Sequence, residues 1–219
     1  MTKKTRIIAI DGPAASGKGT LARRLAQHFD YAFLDTGALY RAVGLETVRA
    51  GGDPDNEQDA LKAAGKLPEI NLDDPEIRIE STGNLASKVA AIPAVRAALL
   101  EFQREFARVP PGGKAGAVLD GRDIGTVVCP DANIKLFITA DVETRAKRRF
   151  LEQFGGKGGD ADYQAILDDL IQRDQRDMTR ATSPLKVAEN AHLLDTTNSD
   201  IEAVFEQALA LVSNGMTDL

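Results

Sequence analysis

Gly12-Pro-Ala-Ala-Ser-Gly-Lys-Gly-Thr20 follows the apolar run Arg6-Ile-Ile-Ala-Ile-Asp11 and precedes the helix-like Leu21-Ala-Arg-Arg-Leu-Ala-Gln-His-Phe29. A strand, a glycine-rich turn and a helix start in that order are the context of a P-loop. Such a turn aims several backbone N–H groups at one point. The positive end of the helix dipole adds to them, and Lys18 supplies a full charge. Gly12, Gly17 and Gly19 permit positive φ and a close approach of the backbone to phosphate oxygens. The alternative, an ordinary tight strand-to-helix turn, leaves the lysine and the four-residue glycine spacing unexplained. Gly12, Pro13, Ala14, Ala15, Ser16, Gly17, Lys18, Gly19 and Thr20 are therefore expected to cradle a polyphosphate.

The generic motif ends in Gly-Lys-Ser or Gly-Lys-Thr, whose hydroxyl binds magnesium. Here Gly19 takes that place and the hydroxyl comes one residue later, at Thr20. The Gly-Lys-Gly-Thr ending resembles that of nucleoside monophosphate kinases. Magnesium is then expected to be held mostly by phosphates and water, with Thr20 the candidate ligand on the loop.

The 219 residues can bury a sizeable core, and they suit one α/β domain with an inserted lobe better than two full domains. A formal net charge of −6 argues against a nucleic-acid-binding face, so any anion must be caught by a few local Arg and Lys residues. The single cysteine, Cys129, excludes an internal disulfide and reads as a small buried side chain. With only His28 and His192, no zinc-type cluster is expected. The charged lead-in Met1-Thr-Lys-Lys-Thr-Arg6 carries no apolar signal region. No run approaches the ~20 apolar residues of a membrane span. A cytoplasmic, membrane-free monomer is the expectation.

Five β-rich runs alternate with helical patterns, at Arg6–Asp11, Ala32–Asp35, Ala117–Asp120, Ile134–Thr139 and His192–Thr196. This predicts an α/β, three-layer P-loop fold around a five-stranded parallel sheet, with ligand chemistry at the strands' carboxyl ends. Asp141 is expected to cap a helix reaching about Phe154. Ser199, in a capping box with Glu202, is expected to cap one reaching about Val212. The polar stretch from Gly51 to Gly83 is too long for an ordinary connection and reads as part of an inserted lobe. The glycine run Gly155-Gly-Lys-Gly-Gly-Asp160 reads equally as the hinge of a short lid or as a disordered linker. The expected partition is a P-loop core at 1–37, 97–150 and 183–219, a monophosphate-binding insertion at 38–96, and a lid with an arginine-bearing helix at 151–182.

Three further segments carry chemistry. Asp35-Thr-Gly-Ala-Leu-Tyr-Arg41 ends a strand and opens a helix, placing Thr36 and the first N–H groups where a second anion could bind, with Arg41 one turn on. A capped helix with an exposed arginine is the alternative. Asp120-Gly-Arg-Asp-Ile-Gly-Thr126 presents Arg122 between carboxylates. It suits a bidentate grip on phosphate, unless it is a glycine-rich turn with a structural ion pair. Arg173, Asp177 and Arg180 share one helical face, with Arg176 beside them. They form either a solvated stripe or an arginine finger supplied in cis. A P-loop plus separate arginine segments meets the requirement for moving a phosphoryl group between two phosphorylated molecules. Lys18, Arg122, Arg173 and Arg180 are then the expected catalytic residues. An ionised phosphate acceptor needs no general base, which accords with the lack of histidine near these motifs.

Gly12 to Thr20, Leu34-Asp-Thr-Gly-Ala-Leu-Tyr-Arg41, Asp120 to Thr126 and Arg173-Asp-Gln-Arg-Asp-Met-Thr-Arg180 together resemble the bacterial cytidylate kinase family, from the first strand to the last helix. The resemblance implies ATP-dependent transfer to CMP or dCMP with magnesium, giving the diphosphate and ADP, as a step of pyrimidine nucleotide metabolism. It implies that Thr36, Tyr40, Arg41, Arg122 and Arg180 hold the acceptor phosphate. Ser87 in Leu85-Ala-Ser-Lys-Val-Ala90, Arg96 in Pro93-Ala-Val-Arg96, and Asp123 would read the cytosine. Arg173 and Asp177 would address the sugar hydroxyls. Without the resemblance, Ser87 and Arg96 read as a helix serine and an exposed arginine. The chain departs from the family where Glu76-Ile-Arg78 follows Leu72-Asp-Asp-Pro75 with little room for the usual small strands. The lobe is expected to lack a strand pair. Two alternatives remain from the residues themselves. One is another small P-loop kinase acting on UMP, dTMP or a metabolite alcohol, with Asp35 as base. The other is a nucleotide-binding switch, although no guanine-specifying Asn-Lys-x-Asp is present.

Overall fold

Alternation along the first strand, β1 (Arg6–Asp11), sorts the molecule into layers: Ile8 and Ile10 pack on one side and Ala9 on the other, all with no exposed surface. The structure is a computed structural model and describes residues 5–217. The charged lead-in at residues 1–4 lies outside the described residues. Four more strands, β2 (Ala32–Asp35), β3 (Gly116–Gly121), β4 (Ile134–Thr139) and β5 (His192–Asp195), join β1 in one all-parallel sheet of order β2-β3-β1-β4-β5. In register, Asp11 lies opposite Gly121 and Asp35 opposite Asp120, so the carboxyl ends of three neighbouring strands deliver their polar residues to one place. Every residue of β3 is buried, as expected of a strand covered on both faces.

One face of the sheet is covered by α1 (Lys18–Phe29) and α8 (Ile201–Thr217), where Leu21, Leu25, Ala208 and Val212 meet Ile8, Ile10, Leu136 and Ile138. The other face carries α2 (Thr36–Arg49) and α5 (Pro93–Arg108), which pack Leu39, Val43, Val95 and Leu99 against Ala9, Ala117 and Leu119. This is the three-layer α/β P-loop fold that the alternation predicts. The last helix departs in detail. Asp200, not Ser199, accepts from Ala203 N–H at 2.8 Å, and the helix continues past Val212 to Thr217. Glu202 closes no capping box because Arg24 of α1 takes both its oxygens, at 2.8 and 2.7 Å.

Between α2 and α5 the chain builds α3 (Glu57–Ala64), two 3₁₀ turns (Leu67–Glu69 and Pro75–Arg78) and α4 (Glu80–Val89), with no strand among the described residues. The polar stretch is folded rather than loose, because Ala60, Ala63, Ala64, Leu67 and Ile77 join the core beneath α2 and α5. α4 lies close on α2. A Cβ on Gly44 would come within 2.7 Å of Leu85, so glycine there sets the helix separation.

The glycine run joins α6 (Val142–Phe154) to α7 (Asp160–Thr179) as a tight and mostly exposed turn. Gly155 and Gly156 take φ of 56° and 80°. A Cβ on Gly158 would meet the Phe150 ring at 2.6 Å. Asp141 caps α6 through Thr144 N–H, as its spacing predicts. Leu170 of α7 and Ala146 of α6 form a small third cluster with Ala14, which fastens this helical hairpin to the P-loop.

Gly12 is the tightest backbone position. At φ 153° its imagined Cβ lies 2.0 Å from the Ile138 carbonyl oxygen on β4. Gly12→Ala is expected to lower folding stability by about 3 kcal/mol or more, because the strand itself would have to shift. The denaturant midpoint reads this directly, and a change under about 0.5 kcal/mol would refute it.

Candidate active site

The carboxyl ends of β1, β2 and β3 open into a cavity of about 190 Å³ closed from the far side by α4 and α7. The P-loop forms one wall. Its turn ends at Gly17, in the left-handed region at φ 85°, and α1 begins at Lys18. Ala14, Ala15, Lys18 and Gly19 line the cavity. Gly12, Pro13 and Ser16 are buried within the turn, and Gly17 and Thr20 are exposed. Thr20 therefore does not stand beside the other site residues as a loop ligand for magnesium should. The fully buried hydroxyl of the loop is that of Ser16, whose Oγ has no hydrogen-bond partner among the described residues.

Lys18 reaches across to β3, where its Nζ lies 3.6 Å from Asp120 Oδ1. Burial pushes the ammonium down to about 8, aided by the neighbouring Arg122 guanidinium, and pushes the Asp120 carboxyl up. Oδ1 of Asp120 has no hydrogen bond among the described residues. Both groups are thus held at a cost that a bound polyphosphate and cation would relieve. A lysine holds phosphate in its charged form, so kcat/KM for a polyphosphate donor bound here is expected to fall as pH rises through about 8. A pH–rate profile checks this, since Lys18→Arg, unable to lose its proton, should erase that limb.

The opposite wall begins where α2 opens. Asp35 accepts from Ala38 N–H at 3.1 Å as the helix cap, and Thr36 Oγ1 donates to the Asp120 carbonyl at 2.7 Å. Arg41 is not a solvated arginine. It donates to the carbonyls of Ile77 and Ile79 at 3.2 and 2.9 Å, which braces it against the second 3₁₀ turn. Arg96 is only 6% exposed, against the expectation of an exposed residue in the absence of a family. Its guanidinium pairs with Asp123, donates to the Ala90 carbonyl at 3.2 Å and lies 5.3 Å from the Tyr40 ring. Ser87 is buried beside them with no partner for its Oγ among the described residues.

Arg122 does not pair with the carboxylates that flank it in sequence. Its Nε donates to Asp177 of α7 at 3.0 Å, and Asp123 is committed to Arg96. The segment after it is a π-helical turn, Ile124–Val128, tied to the P-loop strand by Asp11, which accepts from Ile124 and Gly125 N–H at 2.8 Å each.

α7 turns Arg173 and Asp177 inward, 5% and 7% exposed, which removes the solvated-stripe alternative for them. Arg176 lies to the side and donates to Asn84 of α4 at 3.0 Å. Arg180 stands just past the helix end. Its Nε donates to the Ser183 carbonyl at 2.8 Å, and its buried Nη2 has no hydrogen-bond partner among the described residues. Burial, with Arg96 nearby, lowers its pKa.

Lys18, Thr36, Tyr40, Arg41, Ser87, Arg96, Arg122, Asp123, Arg173, Asp177 and Arg180, named from four separated segments and the base-reading helix region, all line this one cavity. Sequence reasoning missed Gly83, Ala86, Ala90 and Arg149, which line it too. A Cβ at position 83 would approach Arg41 and Arg173 at 2.9 and 3.0 Å, so glycine makes room for two guanidiniums. Arg145 and Arg149, four apart on α6, are the signal that could have found Arg149. Seven cations and four carboxylates line the cavity of a chain whose net charge is −6, so the positive field is local. Among the described residues no cluster of three His, Cys, Asp or Glu side chains is placed to hold a metal. No helix among them is long and apolar enough to cross a membrane. The arrangement can hold two phosphorylated molecules side by side and neutralise charge passing between them.

Residues 8–214 match the family model of cytidylate kinase. The chain is 55% identical over 208 residues to a cytidylate kinase of Paramagnetospirillum magneticum, covering 95% of this chain and 98% of that protein. It is 54% identical over 207 residues to a cytidylate kinase of Bartonella bacilliformis, covering 94% of each. Among solved structures, an uncharacterised protein from Eubacterium ventriosum superposes with a TM-score of 0.52 at 16% identity, over 95% of this chain and 99% of that one. That last likeness concerns the fold alone.

Proposed function

Because the chain belongs to the cytidylate kinase family, we infer that it transfers a phosphoryl group from ATP to CMP or dCMP, giving CDP or dCDP and ADP. The observation that carries this reading is the convergence of Lys18 with Arg41, Arg122, Arg173 and Arg180 around one cavity. The family match sets aside kinases of UMP, dTMP or an alcohol, and the nucleotide switch. We further propose a cytoplasmic monomer serving pyrimidine nucleotide metabolism, with nucleotides rather than nucleic acid or membrane as its partners.

In this reading the P-loop and Lys18 hold the ATP phosphates. Thr36, Tyr40, Arg41, Arg122 and Arg180 hold the acceptor phosphate. The unpartnered Nη2 of Arg180 supports that assignment, because a buried guanidinium N–H without an acceptor is costly until an anion supplies one. Ser87, Arg96 and Asp123 read the base. Ser87 Oγ and Arg96 Nε are buried without partners, and the Asp123 carboxylate, held by Arg96 through one oxygen, keeps acceptor capacity for the exocyclic amine that distinguishes cytosine from uracil. Arg173 and Asp177 address the sugar. The acceptor phosphate is its own nucleophile, so the protein's work is to align it and neutralise charge on the moving group. The side chains also accommodate magnesium. Asp120, with its unsatisfied buried oxygen, and Asp35 on the neighbouring strand are hard oxygen donors beside Lys18 that would hold the ion through its waters. When bound, it neutralises phosphate charge.

The test is ADP production from magnesium–ATP with CMP, dCMP, UMP, dTMP, AMP and shikimate offered one at a time. Turnover concentrated on CMP and dCMP is expected. Preference for another acceptor would discard the base-reading assignment.

A further inference from the structure

Arg145 belongs to none of the roles above, does not line the cavity, and is only 4% exposed. Its guanidinium serves three segments at once. Nε donates to the Ala140 carbonyl at 3.0 Å, just past β4, and Nη1 to the Ala14 carbonyl in the P-loop at 3.1 Å. Nη2 donates to Asp174 of α7 at 2.6 Å. Resting on the P-loop reading, we propose that Arg145 is a positioning residue that aims the amides of the P-loop at the ATP phosphates.

The argument is one of peptide geometry. In a planar trans peptide the C=O and the following N–H point in opposite directions. Arg145 draws the Ala14 carbonyl outward, which turns the Ala15 N–H the other way, and Ala15 lines the cavity. Ala15 also takes φ 58°, a left-handed conformation that a residue with a Cβ avoids unless its surroundings impose it. The anchored carbonyl immediately before it is such a restraint. A weaker version recurs one peptide bond further on from Ala15. The Thr196 hydroxyl lies 3.3 Å from the Ser16 carbonyl, shares its proton with the Thr139 carbonyl at 3.1 Å, and is itself held by Arg148 at 2.9 Å. The back of the loop is thus fastened by its carbonyls, leaving amides for the phosphate side. Arginine suits the task because its fork spans several acceptors and never loses its charge.

The test titrates magnesium–ADP into the full chain and its variants. Arg145→Met keeps much of the stem and removes every donor, and is expected to weaken ADP about tenfold while CMP binding changes by less than about twofold. Arg145→Lys keeps the charge but cannot span three acceptors. It should weaken ADP by about threefold or more, and it carries the readout if Arg145→Met fails to fold. Asp174→Asn leaves the Ala14 carbonyl its donor and is expected to bind ADP within about twofold of the parent. In amide spectra, the change in the Ala15 resonance on adding ADP should shrink in both Arg145 variants and persist in Asp174→Asn. Parent-like ADP binding in both Arg145 variants overturns the proposal. So does equal weakening by Asp174→Asn, which would mean only a loosened α6–α7 hairpin. A parent chain that binds no ADP overturns the P-loop reading, and this proposal with it.

Discussion

Lys18→Ala is expected to lower kcat/KM for ATP by about a thousandfold or more, roughly 4 kcal/mol of transition-state stabilisation. Lys18 is the cation that the P-loop itself carries into the cavity, and it is buried beside Asp120, where a charge acts in low dielectric. No other cation starts α1, so nothing in the loop replaces it. Folding should survive. Burial already pushes the Asp120 carboxyl up, so without Lys18 beside it the residue takes up a proton rather than standing as an unpaired buried charge. Lys18→Met, which keeps the apolar stem, should therefore match the parent in thermal midpoint within a few degrees while sharing the kinetic loss. Steady-state kinetics with CMP saturating separates the two effects. A loss smaller than about tenfold would mean that the Lys18 ammonium does not meet the transferring phosphoryl group.

Arg122→Ala is expected to lower kcat/KM for CMP by about a hundredfold to a thousandfold, with KM for ATP changed by less than about threefold. Arg122 lies at the end of β3 beside the strand that leads into the P-loop, and its Nε is oriented by Asp177 from α7. Removing it takes away the guanidinium proposed to grip the acceptor phosphate and strips the buried Asp177 of its 3.0 Å partner, with Arg180 at 3.7 Å still beside it. Part of the loss will thus reflect a disturbed Asp177. The cycle with Asp177→Asn isolates the share that belongs to the pair. If CMP kinetics were unchanged in Arg122→Ala, the acceptor phosphate would have to bind elsewhere in the cavity.

The fold is legible because its signals are local. Each strand is a short apolar run that stops at a polar residue, and the P-loop announces itself by glycine spacing and a lysine. The departures are small. Ser199 and Asp200 are both good caps, and the choice between them turned on Arg24, far away in the chain, which claimed Glu202. Thr20 follows Gly19 directly, yet the helical rotation places it outside the cavity while Gly19 lines it. The polar stretch from Gly51 to Gly83 reads in sequence as part of an inserted lobe, and the structure fills it with short helical pieces that bury Ala60, Ala63, Ala64, Leu67 and Ile77.

The sequence by itself determined most of the charged residues that line the cavity and the order of the elements that bear them, since glycine, lysine and arginine at these spacings have narrow physical uses. Only the tertiary structure decided who partners whom. Arg122 pairs with Asp177, 55 residues away, rather than with its neighbours, and Arg96 takes Asp123. Arg145 binds a P-loop carbonyl 131 residues before it. Ion pairs and forked hydrogen bonds depend on distances of a few ångströms, and those distances are set by the register of a parallel sheet and the packing of helices on it. Neither is written in any one segment of the chain.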